Sequence, residues 1–301
     1  MSLVKLLGTH SVGDFLQASW PKNPFVVHGL GESIQELRDI ALLESLETLL
    51  NSWPSLIQAH LPDVRDESSS VDANAKDARK LYASGMGLLF NNIQTLSPVL
   101  QNWLNGIRND LGLPTSTHAR CMVYATPDGK GTATHFDQNI NFVLQLSGTK
   151  KWQLAPNMNV ENPTQRHTLG QPLDPELASY LYEEMPPMMP TERRQEITLR
   201  PGSMLFVPRG WWHSTEAEGE ALALNFTFNQ PTWIDLFTLA LRSRLSLSPE
   251  WRELADGVTS ENKDRRLEAA MKLDQLLKEL KEDLPNWLAE DVLGATEGDF
   301  E

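Results

Sequence analysis

The sequence predicts a mainly β protein, an antiparallel sandwich or barrel, with helical additions at both ends. Three observations carry this expectation. Between residues 120 and 228, apolar residues alternate with polar ones in short runs of period two. The runs are separated by turn signals: Pro127-Asp128-Gly129, Ser147-Gly148, Pro201-Gly202, Pro208-Arg209-Gly210 and Glu218-Gly219. On either side of this region the apolar period becomes helical. The 301 residues suffice for one full domain and a smaller appendage, and 40% hydrophobic with 22% charged residues excludes wholesale disorder.

In chain order, Val12 to Leu16 begins a short helix that Pro21-Lys22-Asn23-Pro24 breaks, and Phe25-Val26-Val27 is a short strand. A helix is expected over 33–50, where Ile34, Leu37, Ile40, Leu43 and Leu46 recur at helical spacing. Asp63 to Lys80 is polar and serine-rich around Ser68-Ser69-Ser70, the signature of a loop. Leu88-Leu89-Phe90 is a strand, and Pro98 to Leu111 is a helix ended by Gly112 and Pro114. Strands are then expected at Arg120–Ala125, His135–Leu146, Lys150–Leu154, Glu196–Leu199, Met204–Val207, Trp211–Glu216 and Ala221–Phe228. The proline-rich stretch Pro156–Thr191 is either a decorated loop or an insertion over one mouth. Helices return at 233–245 and 262–282. The domain organisation follows: a helical N-terminal segment with a loop (1–80), a barrel (81–230) and a C-terminal helical region (231–301).

The bulk composition narrows the function. A net charge of −14 with no basic patch disfavours nucleic acid as a partner. No apolar run reaches the roughly 20 residues of a membrane helix. Met1 to Gly8 does not resemble a signal peptide, so a cytoplasmic location is expected. Cys121, the lone cysteine, permits no intramolecular disulfide and reads as a small core residue.

The chemistry concentrates in Thr134-His135-Phe136-Asp137. In a strand, residues i and i+2 share a face, so His135 and Asp137 aim an imidazole and a carboxylate at one point. Two histidines and one carboxylate with open positions are the donor set of non-haem Fe(II) oxygenases. His213, just after Pro208-Arg209-Gly210-Trp211-Trp212, supplies the second histidine from another strand. A lone His-x-Asp pair is more often a structural hydrogen bond. The rest of the strand raises its weight, because alternation turns Asn139, Asn141, Val143 and Gln145 inward as well, and buried amides are costly unless they bind something polar. A hairpin at Ser147-Gly148-Thr149 would bring Lys150 to the inward face, facing an anionic ligand, or release it to solvent at the hairpin end. Asn225 faces inward or outward according to the length of a loop near Glu218-Gly219.

These residues resemble the JmjC-type 2-oxoglutarate oxygenases of the cupin superfamily. The segment from Gly131 through His135, Asp137, Asn141 and Lys150 to Trp152 is similar to the asparaginyl hydroxylase that acts on hypoxia-inducible factor, as is the stretch from Pro208 through His213 to Asn225. Met122–Thr132 and Pro21–Val27 are closer to the ribosomal-protein hydroxylases. The resemblance implies a double-stranded β-helix (cupin, or jelly-roll) barrel. It implies Fe(II) on His135, Asp137 and His213, with 2-oxoglutarate as co-substrate and O2 as oxidant. Lys150, helped by Thr132 and Tyr82, would take the distal carboxylate of 2-oxoglutarate. Asn141 and Asn225 would bond near its chelating end. No catalytic residue beyond the metal ligands is implied. Hydroxylation of a protein side chain is the expected outcome. Small-molecule oxidation by a cupin-like metal protein, or binding without turnover, is the alternative. Ribosomal-protein members often carry arginine at the Lys150 position and a winged-helix domain that this sequence does not contain, which disfavours a ribosomal substrate. The apolar surface of Trp233, Leu236, Phe237, Leu239, Leu241 and Leu245 favours a homodimer through the C-terminal helices over packing on the barrel's outside.

Overall fold

A computed structural model describes residues 2–60 and 70–294. They fall into two compact units, one of residues up to 113 with 118–229, the other of 114–117 with 230 onward.

The first unit opens with α1 (Ser2–Leu7) and α2 (Val12–Ala18), whose cap Ser11 accepts the Asp14 N–H. β1 (Phe25–Val27) follows as expected. The long helix expected over 33–50 does not form. Instead, 3-10 turns at Gly31–Ile34 and Ala41–Leu43 alternate with α3 (Gln35–Arg38) and α4 (Leu46–Ser52). Ile40 is extended (φ −74°, ψ 105°), and Ser45 leaves the helix to cap α4, its hydroxyl accepting the Thr48 N–H. Ile34, Leu37 and Leu43 reach the core all the same.

Next come β2 (Ile57–His60), β3 (Ser70–Ala73), α5 (Ala75–Ala83), β4 (Gly87–Asn91) and α6 (Pro98–Asp110). The loop expected over 63–80 is therefore shorter, because Asn74 caps α5 by accepting the Asp77 N–H. The part of it before Ser70, with Ser68 and Ser69, lies outside the described residues.

The strands continue as β5 (His118–Thr126), β6 (Gly131–Phe136), β7 (Ile140–Ala155), β8 (His167–Thr168), β9 (Gln195–Leu199), β10 (Met204–Val207) and β11 (Trp212–Asn229), with α7 (Pro175–Ala178) after β8. All eleven join one sheet, ordered β1-β10-β7-β11-β5-β4-β2-β3, with β6 on β11, β8 on β6 and β9 on β7. Every pairing is antiparallel.

Three strand boundaries differ from expectation. His135 and Asn141 lie on different strands, since β6 ends at Phe136 and the chain turns through 137–139 before β7. Ser147-Gly148-Thr149 is not a hairpin, and β7 runs straight through it. The two strands expected on either side of Glu218-Gly219 are likewise one, β11. Their partnership slips register between Glu218 and Ala223, where Gly148 (φ +66°) and Gly219 (φ +71°) adopt left-handed backbone. A Cβ on Gly148 would sit 2.0 Å from the Glu220 carbonyl oxygen, so only glycine allows this approach. The bulge reverses which residues face inward. That is how Lys150 reaches the interior on the same strand as Asn141 and Val143.

Pro156–Thr191 is a built insertion. Val160, Leu177 and Met189 close a small core with Phe136, Ala155 and Trp212. The second unit holds α8 (Trp233–Leu245), α9 (Lys263–Asp283) and α10 (Ala289–Gly294). A Thr232–Asp235 capping box starts α8, and Arg244 pairs with Asp283 across α8 and α9 at 2.7 Å. Among the described residues no helix is long and apolar enough to cross a membrane.

Candidate metal centre and cavity

β6 and β11 pair so that His135 and His213 stand directly opposite one another, their ring centroids 4.1 Å apart. Each ring is pinned from behind. His135 Nδ1 donates to the Ala133 carbonyl at 2.7 Å, and His213 Nδ1 donates to the Trp211 carbonyl at 2.8 Å. A carbonyl only accepts, so the proton sits on Nδ1 and the Nε2 lone pair faces forward in both rings. Burial, then the neighbouring His135 ring, pushes the His213 imidazole well below its ordinary value and keeps it neutral. Trp152 stacks on it at 5.9 Å.

Asp137 sits just past the end of β6, held there because Gly210 N–H donates to its backbone carbonyl at 2.8 Å. Its carboxylate oxygens lie 3.9 Å from His135 Nε2 and 3.7 Å from His213 Nε2. One ligand atom from each of the three residues falls within 4.8 Å of the others. Two imidazole nitrogens and one carboxylate, converging from two strands and a turn, could hold one borderline divalent metal ion. Asn141 Nδ2 donates to Asp137 Oδ2 at 3.4 Å, and Thr227 donates to Asn141 Oδ1 at 2.6 Å. Asn141 thus orients the Asp137 carboxylate, a use that strand alternation did not foresee.

The three residues open on a cavity of about 400 Å3. Thr132, Asn141, Lys150 and Asn225 all line it. Lys150 is 4% exposed and donates to Thr126 Oγ1 at 2.8 Å. No carboxylate offsets its burial, which lowers its amine to about 8. Asn225 has a buried Oδ1 with no hydrogen-bond partner, an open valence for a ligand. Thr132 is shared with Thr215 at 3.0 Å. Tyr82 is not brought to the cavity and packs against the main core instead. Gln145, also expected to face the ligand, donates its Nε2 to the Ser147 and Leu222 carbonyls across the bulge.

Tyr124 and Arg166 are among the lining residues that were missed. Tyr124, two residues along β5 from Met122, is a half-buried phenol pushed up to about 12 by desolvation and then by Asp137. Its polar neighbour on the same strand face, Arg120, was the available signal. Arg166 comes from the insertion, where no periodicity marks it, and lies 3.3 Å from Asp137 Oδ1.

Residues 108–236 match the JmjC domain family. Over 99% of its length the chain is 30% identical to YxbC of Bacillus subtilis, described as uncharacterized, and covers 92% of that protein. It is 26% identical over 76% of its length to the bifunctional lysine-specific demethylase and histidyl-hydroxylase NO66 of Drosophila pseudoobscura pseudoobscura, of which it spans only 23%. Among solved structures, YcfD, a ribosomal oxygenase from Escherichia coli in complex with cobalt and 2-oxoglutarate, superimposes with TM-score 0.54 at 15% identity, covering 94% of this chain and 71% of that one. The jelly-roll fold of that structure is therefore the fold of this chain.

Proposed function

This chain belongs to the JmjC-domain family, and from that premise we propose that it is an Fe(II)- and 2-oxoglutarate-dependent oxygenase that hydroxylates a protein side chain. One observation carries the reading: two imidazole nitrogens and a carboxylate converge on the wall of a cavity that also buries a lysine with no acidic partner among the described residues. The donor set suits ferrous iron, and the unpaired lysine suits the far carboxylate of a dicarboxylate. When bound, the iron supplies the oxidising chemistry, coupling decarboxylation of 2-oxoglutarate to succinate with insertion of one atom of O2 into a C–H bond.

The chain's own residues do the rest. His135, Asp137 and His213 would hold the metal. The Ala133 and Trp211 carbonyls keep both imidazoles in the ligating tautomer. Asn141, braced by Thr227, fixes the rotation of the Asp137 carboxylate. Lys150 anchors the distal carboxylate, with Thr126 as its neutral partner until the anion arrives. Tyr124, held protonated by burial, and Asn225, with its open oxygen, bond the co-substrate along its length. The buried aromatic Trp152 excludes water behind His213. NO66 by its name, and YcfD by its description as a ribosomal oxygenase, support a protein substrate.

The oxygenase reading is tested by incubating the purified chain with Fe(II), O2 and carboxyl-labelled 2-oxoglutarate. Release of labelled CO2 that needs iron and oxygen is expected. No release above the His135→Ala background would overturn the reading.

We place the same activity in the reducing cytoplasm, where a ferrous site persists. We also read 231–301 as a homodimer element. Trp233, Ile234, Phe237 and Leu239 of α8 are exposed, as are Leu267, Met271, Leu273 and Leu277 of α9, and such apolar surface calls for a partner.

A further inference from the structure

The cavity inverts the sign of the protein around it. The chain carries a net charge of −14, yet the titratable side chains lining the cavity include Arg120, Lys130, Lys150 and Arg166 against a single carboxylate, Asp137, among the described residues. Two of these cations already have a task. Lys150 stands deep beside Thr126, and Arg166 lies against Asp137. Arg120 has none, since its guanidinium makes no hydrogen bond or ion pair with any described residue although the side chain is only partly exposed.

Its position is set by register. On β5, Arg120 stands six residues before Thr126, about 20 Å along the strand. It pairs across β11 with Thr227, the residue that braces Asn141 and, through it, Asp137. Lys150, beside Thr126, and Arg120 therefore line one cavity at positions well separated along β5, and the metal-ligand candidates line the same cavity. His60 adds a second open group, as both its ring nitrogens are buried without a hydrogen-bond partner among the described residues.

Resting on the oxygenase reading above, we propose that Arg120 is the substrate anchor, and that the molecule oxidised is an anion whose carboxylate pairs with its guanidinium. A guanidinium facing a cavity presents a planar fork matched to a carboxylate. A cationic side chain entering the same space would meet Arg120 and Arg166 at close range and be repelled. The neutral His60 imidazole, held uncharged by burial, donates or accepts at the uncharged part of the same substrate. Two sources present this chemistry: an aspartate or glutamate side chain in a protein, and a small carboxylic acid.

The experiment measures binding by calorimetry to the full chain, metal-free and loaded anaerobically with Fe(II) and 2-oxoglutarate. The probes are end-blocked pentapeptides with a central Asp, Asn or Lys, and N-acetylaspartate as the small acid. The Asp peptide is expected to bind roughly 10- to 100-fold more tightly than its Asn isostere, and the Lys peptide more weakly than both. Arg120→Glu should invert the order, and Arg120→Lys should keep it. Lys150→Ala should leave the preference intact while weakening 2-oxoglutarate, which excludes probe binding in the co-substrate's place. Preference for the Asp peptide over N-acetylaspartate identifies a protein substrate, and the reverse a small acid. If Arg120→Glu also fails to bind 2-oxoglutarate, Arg120→Gln supplies the comparison. Absence of acidic-probe binding, equal binding of the three peptides, or discrimination unchanged in Arg120→Glu would overturn the assignment. Because the readout is binding to the metal-free chain as well, a failure of turnover would count against the oxygenase reading alone.

Discussion

The strand-built cavity and the C-terminal helices are incomplete in opposite ways. Inside the sheet, large apolar side chains such as Phe142, Phe206 and Phe226 are fully buried, and the groups left without partners are polar: Asn225 Oδ1, both His60 nitrogens and a lysine offset only by a threonine. On α8 and α9 the polar groups are served by caps and ion pairs such as Arg244–Asp283, and the groups left without cover are apolar, Trp233 being 77% exposed. An unpartnered polar group in a dry cavity costs free energy until a polar ligand fills it. An uncovered apolar stripe costs free energy until another apolar surface meets it. We read the first kind of gap as a small-molecule or side-chain site and the second as a protein interface.

The sharpest way to break this contrast is at the metal ligands. His135→Ala and Asp137→Ala are expected to lose iron and all measurable turnover while the thermal midpoint moves little, because the sheet's apolar core is untouched. Iron retained at full occupancy in both variants would show the ligand assignment to be wrong. Asn141→Ala acts one step further out and should weaken metal affinity by roughly 10- to 100-fold, read by competition with a chelator.

Lys150→Met separates function from stability. The 2-oxoglutarate requirement should rise by about 1.5–3 kcal/mol, or roughly 10- to 100-fold, for the lost charge-assisted contact. The chain itself should gain on the order of 1–3 kcal/mol in urea unfolding at pH 7, since a charge with no acidic partner leaves the interior. A destabilised Lys150→Met would mean that the amine was not held at the expense of the fold. Lys150 also sets a pH dependence. Its amine sits at about 8 in the folded chain against an ordinary 10.5, so between those values the unfolded chain binds the extra proton and stability rises with pH. Co-substrate binding runs the other way. It needs the cation, so 2-oxoglutarate affinity should fall about tenfold per pH unit above the lysine's folded value. A flat profile from pH 7 to 10 would place that amine elsewhere.

The smallest effect concerns the other region. Trp233→Lys combined with Phe237→Lys should leave 2-oxoglutarate binding unchanged and convert a dimer to a species near 33.9 kDa by light scattering. A wild-type chain already at that mass would remove the dimer and leave the exposed stripe for another partner.

Most of the site was legible in the sequence, although partly through wrong intermediate geometry. His135, Asp137 and His213 converge as expected, but Asp137 does so from a turn held by Gly210 rather than from within a strand. Lys150 and Asn225 line the cavity through β-bulges, where the sequence signalled hairpins. The glycines at 148 and 219 announce left-handed backbone, and left-handed backbone serves a bulge as well as a turn. Only the long-range pairing of β7 with β11 decides between them, and no local pattern carries that pairing. Arg166 was hidden for a related reason, since its place depends on β8 pairing with β6. The segment 33–50 failed in the opposite direction. Helical spacing was present, but capping at Ser45 and the extended Ile40 broke it into single turns that bury the same leucines.

The central claim is that the triad and Lys150 form one site for a metal and a dicarboxylate. It is tested most directly by anaerobic titration of the Fe(II)-loaded chain with 2-oxoglutarate, following the visible metal-to-ligand absorption band. A saturable band is expected in the wild type, the same band at roughly 10- to 100-fold higher 2-oxoglutarate in Lys150→Met, and none in Asp137→Ala. A wild-type chain that binds iron yet develops no band at any 2-oxoglutarate concentration would contradict the claim.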